Sequence, residues 1–411
     1  MNRLLQGSFA LISLALFACK NEGSNDMRSA TDTSRILGSY GYDLSFLQQH
    51  TTGLLELRNE DNTAKLLVSP QWQGRVMTST ATGDSGTSFG WINYDLLASG
   101  EKRKQFNAVG GEERLWIGPE GGQYSFYFKK GDSFNISNWQ VPAIIDTISY
   151  DVVQSNASQA VFRTKGSINN YSGTKFDIAI ERQVNLLKKE NLANQLQMKI
   201  GSNVHCVAYE TLNTIRNVGV SDWTKASGLI SIWLLGMFTP TPQTIVIIPF
   251  NPIRDFRSHI TDNYFGSIPG ERLQVKDSVL YFTCDGKYRS KIGLSPAIAK
   301  PIAASYDFAE NVLTLVIPEV HRNAPYVNSK WEIQKEPYKG DVINSYNDGP
   351  LADGTQLGPF YEIESSSPAL ELKRGTSVSY RQVTCHLKAD FPVLKQFVKE
   401  LLKIDLDQIK H

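Results

Sequence analysis

Residues 110–128 read GGEERLWIGPEGGQYSFYF, with glycines and bulky aromatics surrounding three glutamates and one arginine. Such a composition suits a carbohydrate-handling surface, a catalytic loop, or a hairpin with bulky strands. Read as two strands joined by a Gly-Pro-Glu-Gly-Gly turn, the segment has a side-chain period of two. That period puts Glu113, Leu115 and Ile117 on one face and Arg114 and Trp116 on the other. In the second strand Tyr124, Phe126 and Phe128 share a face and are expected to fill a core. Glu120 sits in the turn, where glycine lets backbone approach a ligand closely or permits a positive φ. The same period places Glu362 and Glu364 of Tyr361-Glu362-Ile363-Glu364 on one strand face. Two carboxylates there can serve acid/base chemistry, face solvent, or pair with basic residues. Trp116 and Trp233 fall in strands, where an indole can stack on a sugar ring or fill the core.

Gly86-Thr-Ser88-Phe-Gly90 fits the G-x-S-x-G pattern of a nucleophile elbow. An elbow serine, however, follows a parallel strand directly, and here Ala81–Ser85 intervene after the strand at 75–80. No H-E-x-x-H, paired C-x-x-C, P-loop or dinucleotide fingerprint occurs, so no cofactor and no metal are expected. Asp84, Asp341 and Asp348 are acidic loop residues whose spacing gives no calcium motif. Cys206, Cys284 and Cys385 read as buried small hydrophobes, with one disulfide an open alternative.

The elements that must position these residues have β texture. Segments rich in β-branched and aromatic residues lie at 53–59, 64–70, 75–81, 123–129, 146–153, 175–187, 195–200, 204–215, 229–235, 244–250, 278–283, 313–318 and 377–387. No regular alternation with helices appears, which argues against a parallel α/β sheet, and no fixed-period repeat argues for a propeller. Helices are expected at 42–50, at 92–98 and after Asp390. In the last, Leu394, Phe397, Val398, Leu401 and Leu402 form one apolar stripe that suits packing on a sandwich, or binding of a partner. The 42 basic and 41 acidic residues leave no electrostatic footprint for nucleic acid.

Arg3 followed by the apolar run 7–18 reads as an export signal too short to span a bilayer. It ends in Leu16-Phe17-Ala18-Cys19, which resembles a bacterial lipobox; by that resemblance Cys19 is lipidated and anchors the chain to a membrane. The expected organisation is a signal peptide at 1–18, a polar tether at 19–36, a β domain at 37–388, and a C-terminal helix packed on it at 389–411.

Three stretches resemble a family of exported bacterial lipoproteins with a galactose mutarotase-like domain. They are VSPQWQGRVMTST at 68–80, GGEERLWIGPEGG at 110–122, and GPFYEIESSSPALELKRGTSVSYRQVTCHL at 358–387. The resemblance covers most of 39–388 and implies a β-supersandwich of two large antiparallel sheets that holds a sugar. It implies Glu362 as the base that takes the anomeric proton, with Glu364 beside it, and Arg75 as a cation next to the substrate. The mid-chain segment that carries the acid histidine in mutarotases holds no histidine here. It offers Glu210, Asn213 and Asn217 instead, of which Glu210 is a candidate partner of Glu362. The ligand contacts expected beside these are Arg114, Trp116, Glu120 and Trp233. The sequence thus points to a lipoprotein that binds or processes a mono- or oligosaccharide by glutamate chemistry. A non-catalytic glycan-binding or structural surface protein is the alternative.

Overall fold

The computed structural model describes residues 36–369 and 371–409. The expected signal peptide, the lipidation site Cys19 and all of the tether but Ile36 lie outside the described residues.

Among the described residues nineteen strands carry the fold. In chain order they are β1 Leu55–Arg58, β2 Lys65–Ser69, β3 Arg75–Thr80, β4 Arg114–Gly118, β5 Asp151–Ser155, β6 Gln159–Asn169, β7 Lys175–Leu186, β8 His205–Asn217, β9 Ser231–Phe238 and β10 Thr244–Pro249. They continue as β11 Ile260–Thr261, β12 Leu273–Lys276, β13 Val279–Thr283, β14 Ser290–Leu294, β15 Ala303–Asp307, β16 Val312–Pro318, β17 Ile343–Asn347, β18 Tyr361–Ser366 and β19 Ser377–Lys388. The helices are α1 Tyr40–His50, α2 Tyr94–Ser99, α3 Lys189–Leu196 and α4 Phe391–Leu402.

The chain is mainly β, built on two large antiparallel sheets. Ten strands run in the order β12-β13-β10-β15-β16-β19-β8-β7-β6-β5, and six in the order β11-β14-β17-β18-β9-β4. A small sheet β1-β2-β3 adjoins them through a bridge from Val76 to Glu113. Alternation decides which face each strand buries. In β7, Phe176, Ile178, Ile180, Val184 and Leu186 point inward, and Arg182 is the one charged member of that row. Strands β4, β9, β17 and β18 of the six-stranded sheet are buried on both faces. One face, with Ile292, Ile343, Ile363 and Phe238, packs against Val246, Ile248 and Val316 of the ten-stranded sheet. The other carries the polar residues described below.

The outer face of the ten-stranded sheet is closed by helices. Leu394, Phe397, Val398 and Leu402 of α4, with Leu192 of α3, pack on Ile247, Leu313, Leu315 and Leu387. Pro392 near the start of α4 costs no helical hydrogen bond there, because the first N–H groups have no partner inside the helix.

Two expected strands are not strands. At 123–129 the chain is irregular, and Phe126, Tyr127 and Phe128 are all buried in succession, whereas a strand would alternate them. Ser125 Oγ accepts from Tyr127 N at 3.0 Å, which satisfies backbone that a neighbouring strand would otherwise bond. Tyr124 does not join that core and stacks on Tyr338. At 195–200 the chain instead closes α3, with Gln197 in the left-handed conformation at its C-cap. The helix expected at 92–98 begins later, at Tyr94, because the Asn93 side chain caps it by accepting from Leu96 N at 3.1 Å. Among the described residues Cys206, Cys284 and Cys385 are free thiols.

Candidate functional site

The outward face of the six-stranded sheet is assembled by register. Arg114 pairs with Leu235, which pairs with Glu364, which pairs with Asn344; Trp116 lies opposite Trp233. Glu362 lies opposite Tyr346, which lies opposite Lys291. Residues directly opposite one another share a face about 4.5–5.5 Å apart at Cβ. Arg114, Trp116, Trp233, Lys291, Tyr346, Glu362 and Glu364 therefore form one surface drawn from five strands.

Two ion pairs dominate it. Lys291 Nζ donates to Glu364 Oε2 at 2.8 Å, and Trp233 Nε1 donates to the same oxygen at 3.0 Å. Arg114 Nη2 stands 2.8 Å from Glu362 Oε1 as an ion pair, without a well-aligned N–H···O hydrogen bond to that oxygen among the described residues. Glu362 is only 5% exposed and Glu364 fully buried. Five buried polar atoms here have no hydrogen-bond partner among the described residues: Arg114 Nε and Nη1, Trp116 Nε1, Glu362 Oε1 and Glu364 Oε1. Leaving such groups unpaired costs about 1–3 kcal/mol each, more for charged ones.

The electrostatics follow from burial. Desolvation pushes the Glu362 carboxyl up to about 7; the Arg114 charge opposes this, and the Glu364 charge adds to it. Burial also works against the Lys291 ammonium, yet the Glu364 and Glu120 charges outweigh it and hold Lys291 above its ordinary value.

Glu120 reaches this surface from the turn after β4. Trp139 Nε1 donates to its Oε1 at 3.1 Å, and Trp331 is a second indole donor. Burial is the largest influence on Glu120 and raises its pKa, with the Lys291 charge opposing it. An aromatic wall backs the carboxylates. Trp116 makes edge contacts with Trp233 at 5.5 Å and Phe106 at 5.2 Å, and the Arg114 guanidinium lies 4.6 Å over the Trp116 ring. The rim is only partly buried: Lys291, Glu120, Trp139, Trp331, Tyr264 and Asp341 all retain exposure. Tyr264 donates to Asp341 Oδ2 at 2.7 Å, with its ring 5.6 Å from Lys291 Nζ.

Of the residues singled out in the sequence, the fold brings together Arg114, Trp116, Glu120, Trp233, Glu362 and Glu364. Arg75 lies just behind them, 1% exposed, donating to Gly110 O at 2.7 Å. Burial, then the neighbouring Arg114 charge, lowers its pKa to about 9. Gly111 must be glycine for this packing, since a Cβ there would stand 2.4 Å from Arg75 Cδ. Arg75 therefore shapes the field of the site from beneath and does not touch its surface.

Glu210 and Asn213 are corrections. Glu210 is on the outer face of the ten-stranded sheet, paired with Arg381 at 2.5 Å and stranded there by the period of β8. Asn213 faces the core, accepting from Arg182 Nη1 at 2.6 Å. Asn217 closes a turn by donating to Ser221 O and Leu372 O. Ser88 is not an elbow nucleophile: its hydroxyl donates to Asp43 and lies 2.6 Å from Thr78 Oγ1, and among the described residues no histidine adjoins it through these bonds. Asp84 is held by Lys65, Asp341 by Tyr264 and Asp348 by Tyr346.

Lys291, Trp139 and Trp331 were missed. Lys291 sits in an ordinary strand, YRSKIGL, whose pattern carries no chemical signal. The two tryptophans lie in loops, where aromatic residues have no periodicity to read.

Comparison with curated proteins found no match. Among solved structures, a protein from Synechocystis sp. PCC 6803 is 12% identical, with a TM-score of 0.49 over 82% of this chain and 96% of its own. A galactose mutarotase-like protein from Lactobacillus casei ATCC 334 is 12% identical, with a TM-score of 0.47 over 82% of this chain and all (100%) of its own. A galactose mutarotase related enzyme from Lactobacillus acidophilus is 11% identical, with a TM-score of 0.44 over 82% and 98%. The family model that matches residues 38–411 spans nearly the whole chain, and the protein belongs to that family, the family of unknown function DUF6786.

Proposed function

We propose that this protein is an exported, lipid-anchored carbohydrate-active protein whose sugar site is the outward face of the six-stranded sheet. The observation that carries the reading is the set of five buried polar atoms of Arg114, Trp116, Glu362 and Glu364 that make no hydrogen bond among the described residues, beside the Trp116 and Trp233 indoles. Three are donors and two are acceptors. A ligand with vicinal hydroxyls supplies both kinds of partner at once, and its apolar ring face suits an indole.

The chemistry assigned to the site is proton transfer at an anomeric centre. Glu362, held near neutrality by burial, takes the proton of the anomeric hydroxyl. Glu120, whose burial favours its neutral form, gives a proton to the ring oxygen. The Lys291–Glu364 pair and Trp233 orient hydroxyls, and Arg114 stabilises negative charge as it develops. This division of labour replaces the histidine of mutarotases with a second carboxyl. Membrane attachment through Cys19 rests on the lipobox, and Cys19→Ser should move the protein from the membrane to the soluble fraction.

The enzymatic reading is tested by following anomer exchange of galactose, glucose and mannose by NMR. Glu362→Gln should slow exchange at least about 100-fold while calorimetry still detects binding. A second reading, a non-catalytic glycan binder, is favoured by the low exposure of Glu362. Sugar binding with no acceleration of exchange by the wild-type protein would select it.

A further inference from the structure

Beyond Glu362, the same sheet face continues across β17 toward β14. Tyr346, directly opposite Glu362, donates from its hydroxyl to Asp348 Oδ1 at 2.7 Å and accepts from Arg289 Nε at 3.3 Å. Asp348 is itself fixed, since its Oδ2 accepts from Gly358 N at 3.0 Å. The Arg289 guanidinium lies 3.7 Å from the centroid of the Phe265 ring, and Phe265 meets Tyr346 edge-on at 5.9 Å. Phe265 follows Tyr264, whose ring already borders Lys291.

Two features of this extension are not explained by packing. Phe265 is 42% exposed although Arg289 covers one side of its ring. Arg289 is partly exposed and has no ion pair among the described residues; the nearby Asp285 is taken by Arg272 at 2.5 Å. A relay of Asp348, Tyr346 and Arg289 thus holds a cation and an aromatic ring in fixed relation, with the terminal guanidinium nitrogens left to donate. A planar fork beside an aromatic face is a preorganised way to bind a ring carrying adjacent oxygens.

We infer that Phe265 and Arg289 form a second sugar subsite continuous with the first, so that the ligand is an oligosaccharide and not a single sugar. One ring lies over Glu362 and Glu364, and the next stacks on the free face of Phe265 with its hydroxyls accepting from Arg289. The inference rests on the carbohydrate reading of the first site. Neither residue takes part in the proton transfer assigned above.

The test is calorimetric titration of the full-length protein with galactose, glucose and mannose and with their di-, tetra- and hexasaccharides. An oligosaccharide should bind at least about tenfold more tightly than its monosaccharide, equivalent to about 1.4 kcal/mol. Phe265→Ala should erase that difference and leave the monosaccharide Kd within about twofold, the range expected for a side chain that touches only the second ring. Arg289→Gln should do the same in part, and both variants should keep the wild-type circular dichroism. Equal affinity for long and short sugars, or equal weakening of both by Phe265→Ala, overturns the subsite while leaving the first site intact. Binding of no sugar of any length overturns both.

Discussion

Two buried charge clusters lie back to back in this molecule, and they differ in how completely they are satisfied. In the first, between the two large sheets, Glu113 receives four donors: Arg182 at 2.9 Å, Thr211 at 2.7 Å, Gln382 at 2.8 Å and Thr384 at 3.4 Å. Arg182 spends its remaining nitrogens on Gly74 O and Asn213. Beside them His386 is held by Glu112 at 2.6 Å and Thr314 at 2.8 Å and stacks on Phe89; Glu112 Oε2 is the one carboxylate oxygen there without a partner. In the second cluster, on the outward sheet face, Arg114, Glu362 and Glu364 have four polar atoms without a hydrogen bond among the described residues, and Trp116 a fifth. Consecutive residues, Glu113 and Arg114, thus belong to opposite regimes. A network whose members are nearly all satisfied specifies and rigidifies a core, whereas one left partly unsatisfied carries a desolvation cost that a hydrogen-bonding ligand would offset. The contrast supports a structural role for His386 and Glu112 and the sugar chemistry proposed above for Glu362, although a histidine–glutamate pair is the more familiar catalytic couple.

The sharpest way to break the comparison is to remove one arginine from each side. Arg182→Met should cost about 3–5 kcal/mol of unfolding free energy, since Glu113 is left as an uncompensated charge among neutral groups. Arg114→Met should cost clearly less, because Glu362 already titrates near neutrality and can become neutral when its partner is lost. Chemical denaturation of the two variants checks this, and equal losses would erase the distinction.

A smaller effect is expected in pH dependence. Burial raises Glu362 from 4.5 to about 7 in the fold, so the folded state prefers its protonated form. The contribution of this group to stability is therefore full below pH 4.5 and lost as pH rises through about 7. The proposed catalysis would run the other way, because the base must be ionised: turnover should fall as pH drops below about 7. Glu362→Gln should abolish that catalytic limb and flatten the stability slope between the same two values. A profile centred near 4.5 would mean that solvent reaches the carboxyl freely.

The smallest effect belongs to Glu210, whose ion pair with Arg381 is partly exposed on the far face of the ten-stranded sheet. Glu210→Gln should change stability by no more than about 0.5 kcal/mol and leave sugar affinity unchanged. Weakened binding in that variant would return Glu210 to the site.

Much of this was legible in the sequence because strand periodicity is local. Arg114 and Trp116 share a face, as do Glu362 and Glu364, for reasons contained in five or six residues of chain. The same logic failed at 123–129, where three successive aromatics are buried by a loop wrapped into the core. It was silent about Glu210, because period two tells which residues share a face and not whether that face meets the site, the core or solvent.

By itself, then, the sequence determined that the chain is built from antiparallel strands, where most of them run, and that a carboxylate pair and an arginine–tryptophan pair each lie on one strand face. These are properties of nearest neighbours along the backbone. Only the tertiary structure decided that β4 and β18 flank the same strand, β9, so that Arg114 meets Glu362, and that Lys291 reaches Glu364 across β17. It also decided that Glu120 is claimed by two indoles, one of them, Trp331, from a distant loop. Residues 19 to 248 positions apart make those contacts, and the meeting of the most distant ones depends on strand order. Strand order is a property of how whole apolar faces are buried against each other, and no single segment carries it.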